Sequence, residues 1–306
     1  MKKTLLSLAV ASLAAAPLAA QAKAAVYGSI RLVANSTSHD DPAQERDISI
    51  DNAASRFGLR GSEELGNGLK VGGRYEFGVS SDKGDIQDNN RLSYVSIEGG
   101  FGEIQAGRVW STYWNVVGQG WPAIDYSGDG LDNVTTFRLS DSIKWTKSFG
   151  AASISLLAVL DDGAQRTQGS LGFKAAGFSV DLGFDQLIDE SATVTATDTD
   201  TNAEDDLSTA LALGYSMDNG LGVTAIIVTD DNGVDDATTG YNINGIYSAN
   251  DNTFIVSYGD NDTDVDDDES ISLELARKLG ERSTAWVAMQ STDPSTSVQL
   301  GLRHSW

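Results

Sequence analysis

Beyond its first two dozen residues the chain alternates apolar and polar side chains, and no stretch repeats with a period of 3.6. Successive side chains of a strand point to opposite faces, whereas a helix would return to one face every three or four residues. In residues 69–79, Leu69, Val71, Tyr75, Phe77 and Val79 share one face while Lys70, Arg74 and Glu76 share the other. The same alternation runs through 207–215, 253–258, 271–279 and 298–306, and 221–229 is apolar on both faces. The pattern predicts an all-β chain.

The punctuation between strands comes in two kinds. Tight turns stand at Gly66-Asn67-Gly68, Gly100-Phe101-Gly102, Asp218-Asn219-Gly220, Asn250-Asp251-Asn252 and Gly280-Glu281-Arg282, where Gly and Asn supply the positive φ of short hairpins. Longer acidic loops occupy the alternate positions, near 36–52, 81–90, 112–136, 188–206, 230–238 and 260–269. Short turn then long loop, repeated, predicts an antiparallel up-and-down barrel of about 16 strands with one plain and one elaborated end. One face carries rings such as Tyr75, Phe77, Trp145, Phe254 and Tyr258; the other is Ser, Thr, Gly, Lys, Arg and Glu. An apolar exterior around a polar interior is the transmembrane arrangement, and closure leaves no unpaired backbone edge in lipid. About 16 strands enclose a water-filled lumen, whereas about 8 are plugged by their own side chains.

Composition narrows the function. Asp and Glu number 44 against 21 Lys and Arg, a formal charge of −23, which opposes nucleic-acid binding. There is no Cys, and the two His, His39 and His304, lie far apart. That leaves no thiolate or histidine centre, so no cofactor and no metal is expected. The acidic stretch at 260–269 misses the EF-hand spacing, because the sixth position from Asp260 is Val265 and the twelfth is Ile271. It reads as a solvated loop.

Residues 1–22 combine Lys2 and Lys3, an apolar run, Pro17 and a terminal Ala20-Gln21-Ala22. This is the form of a cleaved signal peptide, with residues 23–306 as one barrel domain. Cleavage after Ala24 fits the small-residue rule as well. At the other end Val298, Leu300, Leu302, His304 and Trp306 share a face and the chain closes on an aromatic. Leu300, Leu302 and Trp306 read as an outer-membrane insertion signal.

Several ordered stretches are similar to the trimeric general diffusion porins of Gram-negative outer membranes. They are Ala25-Val26-Tyr27-Gly28-Ser29-Ile30-Arg31-Leu32, the run from Ser55-Arg56-Phe57-Gly58 to Asn67-Gly68-Leu69-Lys70, the run from Asn90-Arg91 to Gly107-Arg108, and the close Gly301-Leu302-Arg303-His304-Ser305-Trp306. The middle of the chain, about 150–295, matches only in rhythm. Trp306 stands where the family usually has Phe.

The resemblance implies a third loop, about 111–137, folded into the lumen, whose carboxylates face basic residues of the wall. Asp125, Asp129 and Asp132 are the candidate acids, among Trp114, Trp121 and Tyr126. The family's sharp Pro-Glu-Phe-Gly-Gly-like loop motif is absent. Arg56, Arg91 and Arg138 resemble the family's arginine cluster. Parity points the same way, since Phe57 and Leu59, Leu92 and Tyr94, and Leu139, Ile143 and Trp145 mark the opposite, lipid-side faces. Arg74 and Lys70 join the basic wall. Arg108 falls on lipid-side parity and is expected at a subunit contact of a homotrimer, under a neighbour's loop near Asp82, Asp85 and Asp88. Asp141 also falls outward. The family further implies outer-membrane lipid, lipopolysaccharide and the barrel assembly machinery as partners.

The expected function is passive diffusion of ions and small hydrophilic solutes, without chemistry. The acidic loops predict a preference for cations, and the arginines oppose it. A sugar- or solute-specific porin and an adhesin or receptor barrel are the alternatives. An enzyme would need a Ser–His pair with an orienting group, and His304 and Ser305 face opposite sides.

Overall fold

The structure is a computed structural model that describes residues 23–41, 43–120, 137–160, 164–189, 206–231, 237–262, 269–292 and 294–306. The first segments are β1 (Lys23–His39), β2 (Asp47–Asn52), β3 (Arg56–Gly66), β4 (Leu69–Ser80), β5 (Asp85–Gly99) and β6 (Gly102–Trp110). Then come a short helix α1 (Trp114–Val117), β7 (Arg138–Phe149), β8 (Ala152–Val159), β9 (Ala164–Ala175), β10 (Phe178–Asp189) and β11 (Asp206–Ser216). The chain ends with β12 (Leu221–Asp231), β13 (Thr238–Ala249), β14 (Asn252–Asp262), β15 (Ser270–Gly280), β16 (Ser283–Thr292) and β17 (Ser295–Ser305).

Each segment pairs antiparallel with its neighbours, and β17 returns to β1 in a register that sets Leu32 opposite Leu302. The sheet therefore closes. β2 and β3 lie end to end along β1, so the segments make a 16-strand barrel. The break between them is Ala53–Ser55, with Ala54 at φ 62.

Polarity is inverted relative to a soluble core. Leu300, Phe178, Leu171 and Val256 stand 64%, 59%, 55% and 53% exposed on the outside. Gln168, Asn242, Asn244, Ser272, Glu274 and Gln299 are buried on the inner face. These buried polar groups are hydrogen-bonded, as burial demands: Asn244 Nδ2 donates to Asn242 Oδ1 at 2.5 Å and Trp286 Nε1 to Gln299 Oε1 at 2.7 Å.

The two rims differ as the turn chemistry requires. At the tight-turn rim Asn67 and Gly68 have φ 52 and 75, and Asn250 has φ 53. Two loops are shorter than expected. β1 runs on to His39 and β2 starts at Asp47, so the stretch 36–52 is mostly a strand hairpin, tied by Asn35 Nδ2 to Asp51 Oδ2 at 2.8 Å. Likewise β5 begins at Asp85, leaving only a turn at 81–84 where a loop over 81–90 was expected. In both stretches only Ile48, Ile50 and Ile86 mark an apolar face among polar residues, too short an alternation to reveal the strands.

Candidate functional site: the lumen wall and its inward loop

The inner face of the first strands gathers arginine around one carboxylate. Arg56, Gly58 and Arg60 of β3 stand opposite Gly78, Glu76 and Arg74 of β4, so all share the lumen side. Glu76 is fully buried. Its Oε2 accepts from Arg74 Nη2 at 2.5 Å and from the Tyr27 hydroxyl at 2.9 Å, and its Oε1 accepts from Arg91 Nε at 2.7 Å. Arg74 Nε donates back to the Tyr27 oxygen. Gly58 makes this possible: a Cβ there would lie 2.4 Å from Tyr27 Cζ, so only glycine lets the ring lie across β3 to Glu76.

Arg138, at the start of β7, stacks over the Trp110 ring with its guanidinium carbon 4.3 Å from the centroid. Trp110 stacks in turn on Trp114 of α1, with centroids 6.3 Å apart, and Trp114 meets Phe137 edge to face at 4.3 Å. Wall and loop are thereby joined by a guanidinium–aromatic ladder. The Nε atoms of Arg56 and Arg138 are buried and have no hydrogen-bond acceptor among the described residues.

Of the basic wall expected from sequence, the structure brings Arg74 and Arg91 together on Glu76 and sets Arg56 and Arg138 on the same inner wall. Lys70 stands apart, close to the tight-turn rim, in an exposed ion pair with Glu98 at 3.3 Å. Parity requires a correction at β5. Tyr94 is paired with Arg74 and Leu92 with Glu76, and Leu92 is fully buried. Both belong to the inner side, where sequence placed them facing lipid. Arg91 reaches the lumen because the β4–β5 register shifts between Glu76 and Phe77.

Sequence reasoning missed Arg31, Arg60, Arg303 and Glu76 as members of this wall. Arg31 and Arg303 are directly opposite each other on β1 and β17, and Arg31 lies 5.2 Å over the Trp286 ring. Parity against Ile30 and Leu302 carried the signal for Arg31 and Arg303.

After β6 the chain turns inward. Tyr113, Val116 and Val117 pack on Ala210, Ala212, Ile226 and Val228 of β11 and β12. The Tyr113 hydroxyl donates to Thr209 O at 3.2 Å, and Asn244 Nδ2 of β13 donates to Gly120 O at 3.2 Å. Gly183 of β10 leaves room for this docking, since a Cβ there would stand 3.0 Å from Val116 Cγ2. Burial pushes the Tyr113 phenol well above its ordinary pKa. The described part of the third loop thus crosses from β6 to the far wall. Asp125, Asp129, Asp132, Trp121 and Tyr126 lie outside the described residues.

Arg108 pairs with Ser93, and its Nη1 donates to Ser140 Oγ at 2.8 Å. Opposite it β7 bulges, with Asp141 at φ 51 and the register shifted between Gly107 and Val109. That bulge, close to the long-loop rim, accounts for the outward Asp141. Leu300, Leu302 and Trp306 are outward and exposed. Trp306 N donates to Gly28 O at 3.1 Å, so the last residue is stitched to β1. Among the described residues Ser283 Oγ lies 2.9 Å from His304 Nδ1, between directly opposite residues of β16 and β17. Among the described residues no carboxylate orients that imidazole. No cluster of metal-ligating side chains occurs among the described residues.

A family profile described as Gram-negative porin matches residues 7–297. The major outer membrane protein P.IB of Neisseria meningitidis serogroup B is 36% identical over 115 residues, 36% of this chain and 34% of that protein. The match thus spans about a third of that relative's length. Among solved structures, a Salmonella typhi OmpF complex with daunomycin superposes with TM-score 0.76 at 16% identity, over 93% of this chain and 98% of that one. An anion-selective porin from Comamonas acidovorans superposes with TM-score 0.73 at 19% identity, over 94% and 100%.

Proposed function

Because the chain belongs to the Gram-negative porin family, a family of outer-membrane barrels, we propose that it forms a passive, water-filled channel for ions and small hydrophilic solutes. The observation that carries this reading is the inner wall at the inward loop. Arg56 and Arg138 keep buried Nε atoms without an acceptor among the described residues, beside a loop that crosses the lumen to β11 and β12. Guanidinium groups on one side and loop carboxylates on the other set a transverse field that orders water. A solute is then screened by size, charge and polarity. Asp125, Asp129 and Asp132 are our candidates for the facing carboxylates. No bond is made or broken, and the channel acts without a cofactor.

Selectivity follows from two opposed fields. The formal charge of −23 and the acidic loops concentrate cations at the mouths, and we propose a cation preference. The wall arginines favour anions, and the neighbour named as anion-selective makes that the second reading. Single-channel recording of the refolded mature protein under a KCl gradient tests both. A reversal potential on the cation side supports the first, and one on the anion side supports the second. Absence of conductance from inserted protein would overturn the channel.

We further propose a homotrimer with Arg108 at the subunit contact. Crosslinking in outer membranes, compared between the native chain and Arg108→Glu, tests it. One solved relative is described as a trimer form. A cleaved leader at 1–22, handling by the barrel assembly machinery on Leu300, Leu302 and Trp306, and a seat among outer-membrane lipid and lipopolysaccharide complete the proposal. The mature N-terminus, read by mass spectrometry, distinguishes cleavage after Ala22 from cleavage after Ala24.

A further inference from the structure

One buried amide of the wall bonds two consecutive residues at the stem of the inward loop. Gln168 of β9 is 1% exposed. Its Oε1 accepts from Ser111 Oγ at 2.8 Å and from Thr112 N at 2.9 Å. Its Nε2 donates to Asp185 Oδ2 of β10 at 2.7 Å. Asp185 is clasped on its other side by Arg166, with Nε to Oδ1 at 2.8 Å and Nη2 to Oδ2 at 2.7 Å.

This order has a chemical logic. A carboxylate only accepts hydrogen bonds, so Asp185 obliges the amide to turn its NH2 toward the wall and its oxygen toward the loop. Only that orientation satisfies two donors of the stem at once. The two-pronged bond from Arg166 fixes the carboxylate plane. The same stem residue Ser111 then accepts from Trp114 N at 3.0 Å, where α1 starts.

We propose that Arg166, Asp185 and Gln168 are positioning residues that latch the stem of the constriction loop, and that the steadiness of the open channel depends on them. None of the three needs to touch a solute. They act through Ser111 and Thr112 on everything the loop carries into the lumen. The proposal rests on the channel reading, so its test includes a readout independent of conductance.

The chain has no cysteine, and Thr112 Oγ1 lies 3.1 Å from Ser155 Oγ of β8. A Thr112→Cys/Ser155→Cys pair can therefore tie the stem to the wall by an oxidisable bridge that bypasses the latch. Full-length mature protein is recorded as Asp185→Asn, Gln168→Leu and the milder Arg166→Lys, each with and without that pair. Folding is checked by heat-modifiable gel mobility.

We expect brief closures about tenfold more frequent in Asp185→Asn and Gln168→Leu, the loss of a hydrogen bond to a charged group, and fewer in Arg166→Lys. Oxidation of the pair should restore native steadiness, and reductant should remove the rescue. Oxidation by a mild diamide probe should also run slower in the latch variants than in the native background, whether or not the barrel conducts. Equal steadiness in folded variants, closures that survive the bridge, or unchanged oxidation rates would each overturn the latch. A silent native channel with slowed oxidation would instead overturn the channel reading and keep the latch.

Discussion

Arg91 meets Glu76 across a break in register: its Nε lies 2.7 Å from Glu76 Oε1 although the β4–β5 ladder shifts beside it. Leu92 and Tyr94 follow on the inner side, so an arginine beside them would otherwise face lipid. A β-bulge re-aims one side chain without disturbing the rest of the strand. Here it brings a second guanidinium to a carboxylate already held by Arg74 and Tyr27. Glu76 therefore neutralises part of the basic wall from within it.

Replacing Glu76 by Gln should shift the reversal potential toward anions, because the wall then keeps its arginines and loses its carboxylate. Stability should fall by roughly 1–3 kcal/mol, the cost of leaving buried donors without their charged partner. Partial exposure of Arg74 to lumen water keeps the loss below that of a fully dry pair. Reversal potentials and thermal unfolding of the refolded barrel measure the two effects separately. An unchanged potential would place selectivity in the loops alone.

The fold was legible because lipid and lumen impose opposite polarity on alternate residues. That signal spans 69–79 and 298–306 without interruption. It fails where the constraint lapses. In the β1–β2 hairpin around Asn35 and Asp51 only Ile48 and Ile50 mark the outward face among polar residues, so it reads as loop. Parity also fails at bulges, which is why Leu92 and Tyr94 were assigned to the wrong face while Arg91 was assigned to the right one. Glu76 was visible on the inner face beside Arg74 but gave no sign of its other partners, Tyr27 of β1 and Arg91 of β5. Gln168 was illegible as an anchor, since an isolated inward glutamine has no pattern until Ser111 and Asp185 are beside it.

Gly28 is the floor for the last residue. A Cβ at Gly28 would lie 2.4 Å from Trp306 Cζ2 and 2.9 Å from the Arg56 carbonyl oxygen, and neither the ring nor the backbone can yield freely. Gly28→Val should therefore weaken the β1–β17 closure by about 1–3 kcal/mol, the range for overpacking. The heat-modifiable gel transition should move to lower temperature. Trp306→Phe, smaller in the same place, should restore part of the loss in the double variant; failure to do so would separate the two residues.

Gly183 sets the distance between loop and wall. Adding side-chain bulk there drives against Val116 and Tyr113, whose nearest atoms stand 3.0 and 3.3 Å from the missing Cβ. The barrel strand is fixed on both sides, so the loop must give way, toward the lumen. Gly183→Val should lower single-channel conductance and the size cut-off for uncharged solutes in liposome swelling, with Gly183→Ala intermediate. A conductance equal to the native channel would mean that α1 does not border the narrowest section.

Tyr113 gives the docking an alkaline limit. Burial holds its phenol above the ordinary value of 10.0, so the docked loop binds the phenolic proton more tightly than a released loop does. The stabilisation from this group is complete below the ordinary value and diminishes as pH rises past it, because only the released form then ionises readily. Channel closures should stay constant from neutral pH to about 10 and become more frequent beyond it. Tyr113→Phe loses the hydrogen bond to Thr209 O, so its closures should be more frequent at neutral pH and should not respond to alkali. A native channel that is insensitive above the phenol's ordinary value would show that the Tyr113 contact does not control the loop.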